Sequence, residues 1–180
     1  MASARPITDE QLLQLPKDGR KYEVVDGKLV AMSPAGFRHD QIVAEVIRRL
    51  GNFVHEHRLG RVLAPDALYT LPNGNRRGPD ASFVSLERLA VVPPDVAFPE
   101  LVPDLAVEVL SPSDSPRQVL GKVSDYLQSG ARLVWVIDPK ARKAVIHRSL
   151  NTVREIDETG TLDGEDVLPG FRCALSDLLA

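Results

Sequence analysis

A chain of 180 residues with net charge −3, 43% hydrophobic and 26% charged residues has the make-up of one ordinary globular domain. Its charge removes the simplest route to nucleic-acid binding, so any such partner must be held by a local basic patch or through metal ions. One cysteine, Cys173, excludes an internal disulfide framework and a cysteine-built zinc site.

The first residues carry no apolar signal segment, and no apolar run reaches the length of about 18 residues that a membrane span needs. The expectation is a reducing, cytoplasmic setting and one domain over 1–180. Residues 1–18 form a helical arm and 19–180 the core.

Thr8 caps a short helix that ends near Leu15, with Pro16 as the stop. Tyr22 to Met32 reads as a β-hairpin turned at Asp26-Gly27. After the Ser33–Gly36 loop comes a long helix. Ile42, Val43, Val46, Ile47, Leu50, Phe53 and Val54 fall within one arc of about 140°, and Gly60 marks its end. Arg61 to Leu71 reads as a strand, Pro72 to Asn75 as a turn, and Ala81 to Val84 as a short strand.

Glu87 to Phe98 is proline-broken loop with one helical turn. Leu105 to Leu110 is an almost wholly apolar strand, as expected where both faces are covered. Ser115-Pro116 opens a helix over Arg117–Gln128, which Gly130 closes. A second buried strand, Leu133 to Ile137, makes the unit a parallel crossover. Strands at Ala144–Arg148 and Val153–Ile156 and a short helix at Ser176–Leu179 follow. The fold class is mixed α/β, a mixed central sheet flanked by helices, with the early hairpin making the sheet mixed.

Two acids carry the chemistry. Asp80 follows Pro79 at the start of a strand, and Glu108 interrupts the apolar run Leu105–Leu110. A buried, unpaired carboxylate costs several kcal/mol. Neighbouring strands lie about 4.8 Å apart, so two inward carboxylates can share one Mg²⁺ at about 2.0–2.1 Å per oxygen. The bland alternatives are a turn cap for Asp80 and an arginine pair for Glu108.

Lys122 lies on the rim of its helix's apolar arc, about 40° from Tyr126. It either snorkels to solvent or reaches the Glu108 strand, to orient or help deprotonate an attacking water. Glu23, between Tyr22 and Val24, is either a solvent-facing hairpin carboxylate or a further site acid. His39 points inward as a hydrogen-bonded core histidine or as a supporting or phosphate contact. Arg76 and Arg77 form a solvated turn or face a backbone phosphate. His55, His57 and His147 have no ligand spacing.

These residues sit in an ordered set. Tyr22-Glu23-x-x-Asp26-Gly27, Ser33-Pro34, His39 and Pro79-Asp80-Ala81-Ser82-Phe83-Val84 open it. Pro103 to Ser113, Lys122-x-x-x-Tyr126-x-x-x-Gly130, Val134 to Pro139 and Leu168-Pro169-Gly170-Phe171 complete it. The chain resembles the Uma-type family of restriction-endonuclease-like proteins in the PD-(D/E)xK nuclease superfamily, from Tyr22 to Phe171.

The resemblance implies a restriction-endonuclease-like core, with Asp80 and Glu108 as metal ligands and Glu23 as the extra acid. The superfamily lysine two residues after the second acid is absent, because Leu110 stands there. Its role maps onto Lys122.

The expected function is Mg²⁺- or Mn²⁺-dependent hydrolysis of DNA by a homodimer, since a duplex cut requires two active sites. The catalytic set is Glu23, Asp80, Glu108 and Lys122; Asp80 and Glu108 bind the metal, Glu23 joins them as a metal ligand directly or through water, and His39 and Arg77 are accessories. The rivals are an inactive nuclease-fold binding or regulatory protein and an enzyme acting on RNA or a small phosphodiester.

Overall fold

A computed structural model describes residues 7–16 and 20–180. Residues 1–6 and 17–18 of the expected arm lie outside the described residues. The elements are α1 (Asp9–Leu13), β1 (Tyr22–Val25), β2 (Lys28–Ala31), α2 (Phe37–His57), β3 (Gly60–Leu63), β4 (Tyr69–Thr70), β5 (Arg76–Arg77), β6 (Ala81–Ser85) and α3 (Leu86–Leu89). They continue with β7 (Leu105–Val109), α4 (Pro116–Ser129), β8 (Leu133–Asp138), β9 (Lys143–His147), β10 (Val153–Asp157), β11 (Thr161–Asp163), β12 (Arg172–Ala174) and α5 (Leu175–Leu178). No described helix is long and apolar enough to cross a membrane.

The central sheet has six strands in the order β10-β9-β8-β7-β6-β3. Only the β7/β8 pair within it is parallel, joined through α4. Its two faces bury different clusters. Leu105, Val107, Val109, Leu133, Trp135 and Ile137 pack on the α2 side with Val43, Val46 and Leu50. Ala106, Val134 and Val136 pack on the α4 side with Val123 and Tyr126. A sheet covered on both faces needs apolar residues at successive positions, which is why β7 and β8 read as unbroken apolar runs.

The hairpin turned at Asp26-Gly27 forms as expected, with Tyr22 opposite Ala31. It does not join the central sheet. β1 and β2 belong to a separate four-stranded sheet in the order β2-β1-β5-β4. The central sheet is mixed because of β7 and β8, and the expectation that the hairpin makes it so is corrected.

The long strand expected over Arg61–Leu71 also divides. Pro65-Asp66 turns the chain, so that β3 joins the central sheet and β4 the small one. Arg76-Arg77 is strand β5, bonded to β1 and β4, and not a solvated turn.

α2 begins at Gly36 without a side-chain cap and ends at Arg58 in the left-handed region. Gly60 follows where β3 meets β6. A Cβ there would stand 2.0 Å from the Val84 carbonyl oxygen, so only glycine allows the approach. In α4 the Ser115 hydroxyl and Gln118 form a capping box, with Pro116 behind it, and Gly130 at φ 106° closes the helix.

Candidate active site

β6 and β7 run antiparallel with Ala81 opposite Val107. One step further, that register sets Asp80 across from Glu108. Asp80 Oδ2 accepts the Val109 amide at 2.8 Å, which seats its carboxylate at the end of β7. The same oxygen meets His39 Nε2 at 3.2 Å, while His39 Nδ1 lies 3.0 Å from Asp40 Oδ1. Burial lowers the His39 pKa, but Asp80 and then Asp40 outweigh it and push it up to about 9. The ring is therefore an imidazolium at neutral pH, donating to both carboxylates. Among the described residues nothing donates to Asp80 Oδ1, and the side chain is 17% exposed on the cleft.

Glu108 shares the parity of Ala106 along β7 and so faces α4. Lys122 and Tyr126 stand one helical turn apart on α4 and divide its carboxylate. Lys122 Nζ donates to Oε2 at 2.8 Å and the Tyr126 hydroxyl donates to Oε1 at 2.8 Å. Burial pushes Glu108 up to about 7; Lys122 opposes the shift, and Asp80 and Glu23 reinforce it. Burial alone would depress Lys122, but Glu108 and then Glu23 outweigh it and hold the ammonium well above its ordinary range. Burial, then Glu108, keeps the Tyr126 phenol protonated.

Glu23 is only 3% exposed. Its Oε2 accepts from Arg77 Nη1 at 2.8 Å, its Oε1 from the Gly78 amide at 3.2 Å, and Lys122 Nζ lies 3.5 Å from Oε1. The guanidinium pairing considered for Glu108 thus falls on Glu23, and Glu108 has an ammonium instead. Arg77 is buried at 7% exposure, which removes the phosphate-facing alternative. Its other edge grips Asp125, through Nε at 2.7 Å and Nη2 at 2.6 Å.

Glu23, Asp80, Glu108, Lys122 and His39 therefore line one cleft of about 900 Å³, walled also by α1 leucines and by Ser111. His55, His57 and His147 do not line it. Sequence reasoning missed Tyr126 as a partner of Glu108, and Asp125 and Asn75 as partners of the arginine system. The one signal that could have pointed to Tyr126 is its place four residues after Lys122 on the same helical stripe.

Among the described residues no three His, Cys, Asp or Glu side chains are grouped to hold a metal ion. Two carboxylates with the remaining positions left to water and substrate oxygens are the usual Mg²⁺ arrangement. Asp80 and Glu108 fit it. They are hard oxygen donors at one cleft, and although burial is the main cause of the raised Glu108 pKa, the repulsion from Asp80 and Glu23 that adds to it is what a cation would relieve.

This arrangement of sheet and helices is a restriction-endonuclease-like fold. It superposes on the crystal structure of "a putative nuclease belonging to DUF820" from Anabaena variabilis ATCC 29413 with a TM-score of 0.83 and 22% identity, over 97% of this chain and 98% of that one. A family model described as "Uma2: Putative restriction endonuclease" matches residues 9–176, and the chain belongs to that family. A cryo-electron-microscopy structure titled as a DrdV–DNA complex is similar at a TM-score of 0.42 and 17% identity, over 79% of this chain and 12% of that one. No curated protein matches the chain significantly.

Proposed function

We propose that the protein is a Mg²⁺- or Mn²⁺-dependent endonuclease that hydrolyses DNA phosphodiester bonds. One observation carries this: Asp80, one residue before the β6–β7 ladder, and Glu108, within β7, line one cleft, with a lysine ammonium 2.8 Å from Glu108. Membership of a family described as restriction endonucleases supports it.

Asp80 and Glu108 hold the cation. A bound divalent cation supplies an activated water and charge neutralisation at the phosphate. The Lys122 ammonium stays protonated, so its contribution is hydrogen-bond donation to the incoming water and to the negative charge that develops on the phosphate. Glu23 contributes by anchoring that ammonium opposite Glu108. His39 fixes the rotamer of Asp80. The cleft lining is more acidic than basic, with Arg20, Lys21 and Lys122 beside Glu23, Asp40, Asp66, Asp80, Glu108 and Asp114, so the cation supplies the positive charge that draws a phosphate. A duplex cut requires two such sites, so the active species is a homodimer, and the single buried cysteine suits a reducing cytoplasm.

Purified protein with Mg²⁺ or Mn²⁺ should nick a supercoiled plasmid, and Asp80→Ala or Glu108→Ala should abolish nicking. Undiminished cleavage by both variants would end the assignment. A second reading, a nuclease-fold binding protein without chemistry, draws on a specific observation: both Glu108 oxygens are already taken, by Lys122 and Tyr126. It predicts nucleic-acid binding that no divalent cation alters and no plasmid nicking.

A further inference from the structure

The site rests on a chain of polar contacts that runs from buried Arg77 and Asn75 behind the cleft out to exposed Asn73. Asp125 on α4 accepts from Arg77 with Oδ2, from Asn75 Nδ2 at 3.0 Å with the same oxygen, and from Asn73 Nδ2 at 2.8 Å with Oδ1. Asn75 in turn accepts the Asp26 amide at 2.8 Å, at the turn of the hairpin that carries Glu23. Arg77 thus grips α4 with one edge of its guanidinium and β1 with the other. Asp125 and Lys122 lie three residues apart, one turn along α4. Gripping Asp125 and Glu23 together therefore fixes how far the Lys122 ammonium stands from Glu23, and so how it divides between Glu23 and Glu108.

We propose that Arg77, held by Asp125, is a positioning residue that sets the location of the Lys122 ammonium through Glu23. It rests on the endonuclease assignment above for its role in the reaction, but the positioning itself is a property of the protein without substrate or metal. The planar guanidinium is what the geometry requires: two separate edges address two carboxylates on different elements. A lysine at this place keeps the charge and lacks the second edge. Without the grip, Glu23 is released and Lys122 loses its fixed place.

The test uses Arg77→Lys and Asp125→Asn, with ε-¹⁵N-lysine labelling of the full chain in chelator. Among the described lysines Lys122 is the one bound between two buried carboxylates, so its ammonium should give a slowly exchanging ¹⁵N–¹H signal, assigned by its absence in Lys122→Arg. Both variants should lose or broaden that signal. With Mn²⁺ and plasmid, kcat should fall about 10–100-fold with KM little changed. A merely structural role would lower thermal stability and leave the signal and kcat of the folded fraction intact. That outcome overturns the inference.

If Arg77→Lys does not fold, Asp125→Asn decides, and a Glu23→Gln, Arg77→Met, Asp125→Leu triple variant, which removes the buried charges together, repeats the signal measurement. A signal that survives there also overturns it. If the wild type cleaves nothing while the signal depends on Arg77, the positioning stands and the endonuclease assignment falls.

Discussion

The Val109 amide donates to Asp80 Oδ2 at 2.8 Å, across the ladder from Glu108. This bond turns two acids far apart in the chain into neighbours. Asp80 sits just before β6 begins, where Pro79 leaves the carboxylate close to the end of the adjoining strand. Asp80→Asn keeps an oxygen acceptor for Val109 and loses the charge that pairs with His39. It should still fold, at a cost of about 1–3 kcal/mol read by urea unfolding, while losing all plasmid nicking.

Lys122 neutralises a carboxylate that is 5% exposed. Lys122→Met leaves Glu108 buried with only the Tyr126 hydroxyl, which should cost about 3–5 kcal/mol in urea unfolding with chelator present. Adding Glu108→Gln to Lys122→Met should restore most of that loss, because the unpaired charge is gone. A double variant as unstable as the single one would mean that Lys122 acts through packing alone.

Tyr126→Phe removes the hydrogen bond to Glu108 Oε1 and keeps the ring, which is fully buried. A carboxylate oxygen left without its donor should cost about 1–3 kcal/mol of stability. Glu108 is then held by Lys122 alone, at one oxygen, so a weaker Mn²⁺ affinity, by about 10-fold or more, should accompany it in calorimetry.

The pH dependence follows from two groups. Glu108 is raised from its ordinary 4.5 to about 7. Between those values the folded protein keeps a proton that the unfolded chain releases, so stability falls as pH rises across that window. His39 is raised from 6.5 to about 9, so its contribution is full below 6.5 and lost as pH climbs through 9. In chelator, Tm should decline from pH 5 to pH 9. Glu108→Gln should flatten the lower part and His39→Gln the upper part.

Asp104 separates structural charge from site charge. It is 2% exposed, accepts the Ser85 amide at 2.8 Å and pairs with Arg88 at 3.2 Å, at the end of β7 away from the cleft. Asp104→Ala should destabilise the protein by about 3 kcal/mol and leave Mn²⁺ affinity unchanged.

Much of the architecture was legible because it rests on local rules. The arc of α2, the capping box of α4 and the Asp-Gly hairpin are each written in neighbouring residues. Asp80 and Glu108 were legible for a related reason: a proline before one and an apolar strand around the other. What stayed hidden was nonlocal. Nothing near Tyr22–Ala31 says which sheet the hairpin joins, because its partner β5 is two residues long and lies some fifty residues on. Arg77 read as a surface turn for the same cause. Its burial depends on Glu23 and Asp125, one before it in the chain and one after, and no periodicity links them. Tyr126 read as apolar core, which its ring is; only its hydroxyl belongs to the site.

Titration of the metal-free protein with Mn²⁺ in a calorimeter, wild type beside Asp80→Asn and Glu108→Gln, bears most directly on the whole account. Saturable binding to the wild type that either substitution abolishes is the predicted result. Equal heats from all three proteins, or none from the wild type, would contradict the claim that these two carboxylates share a cation.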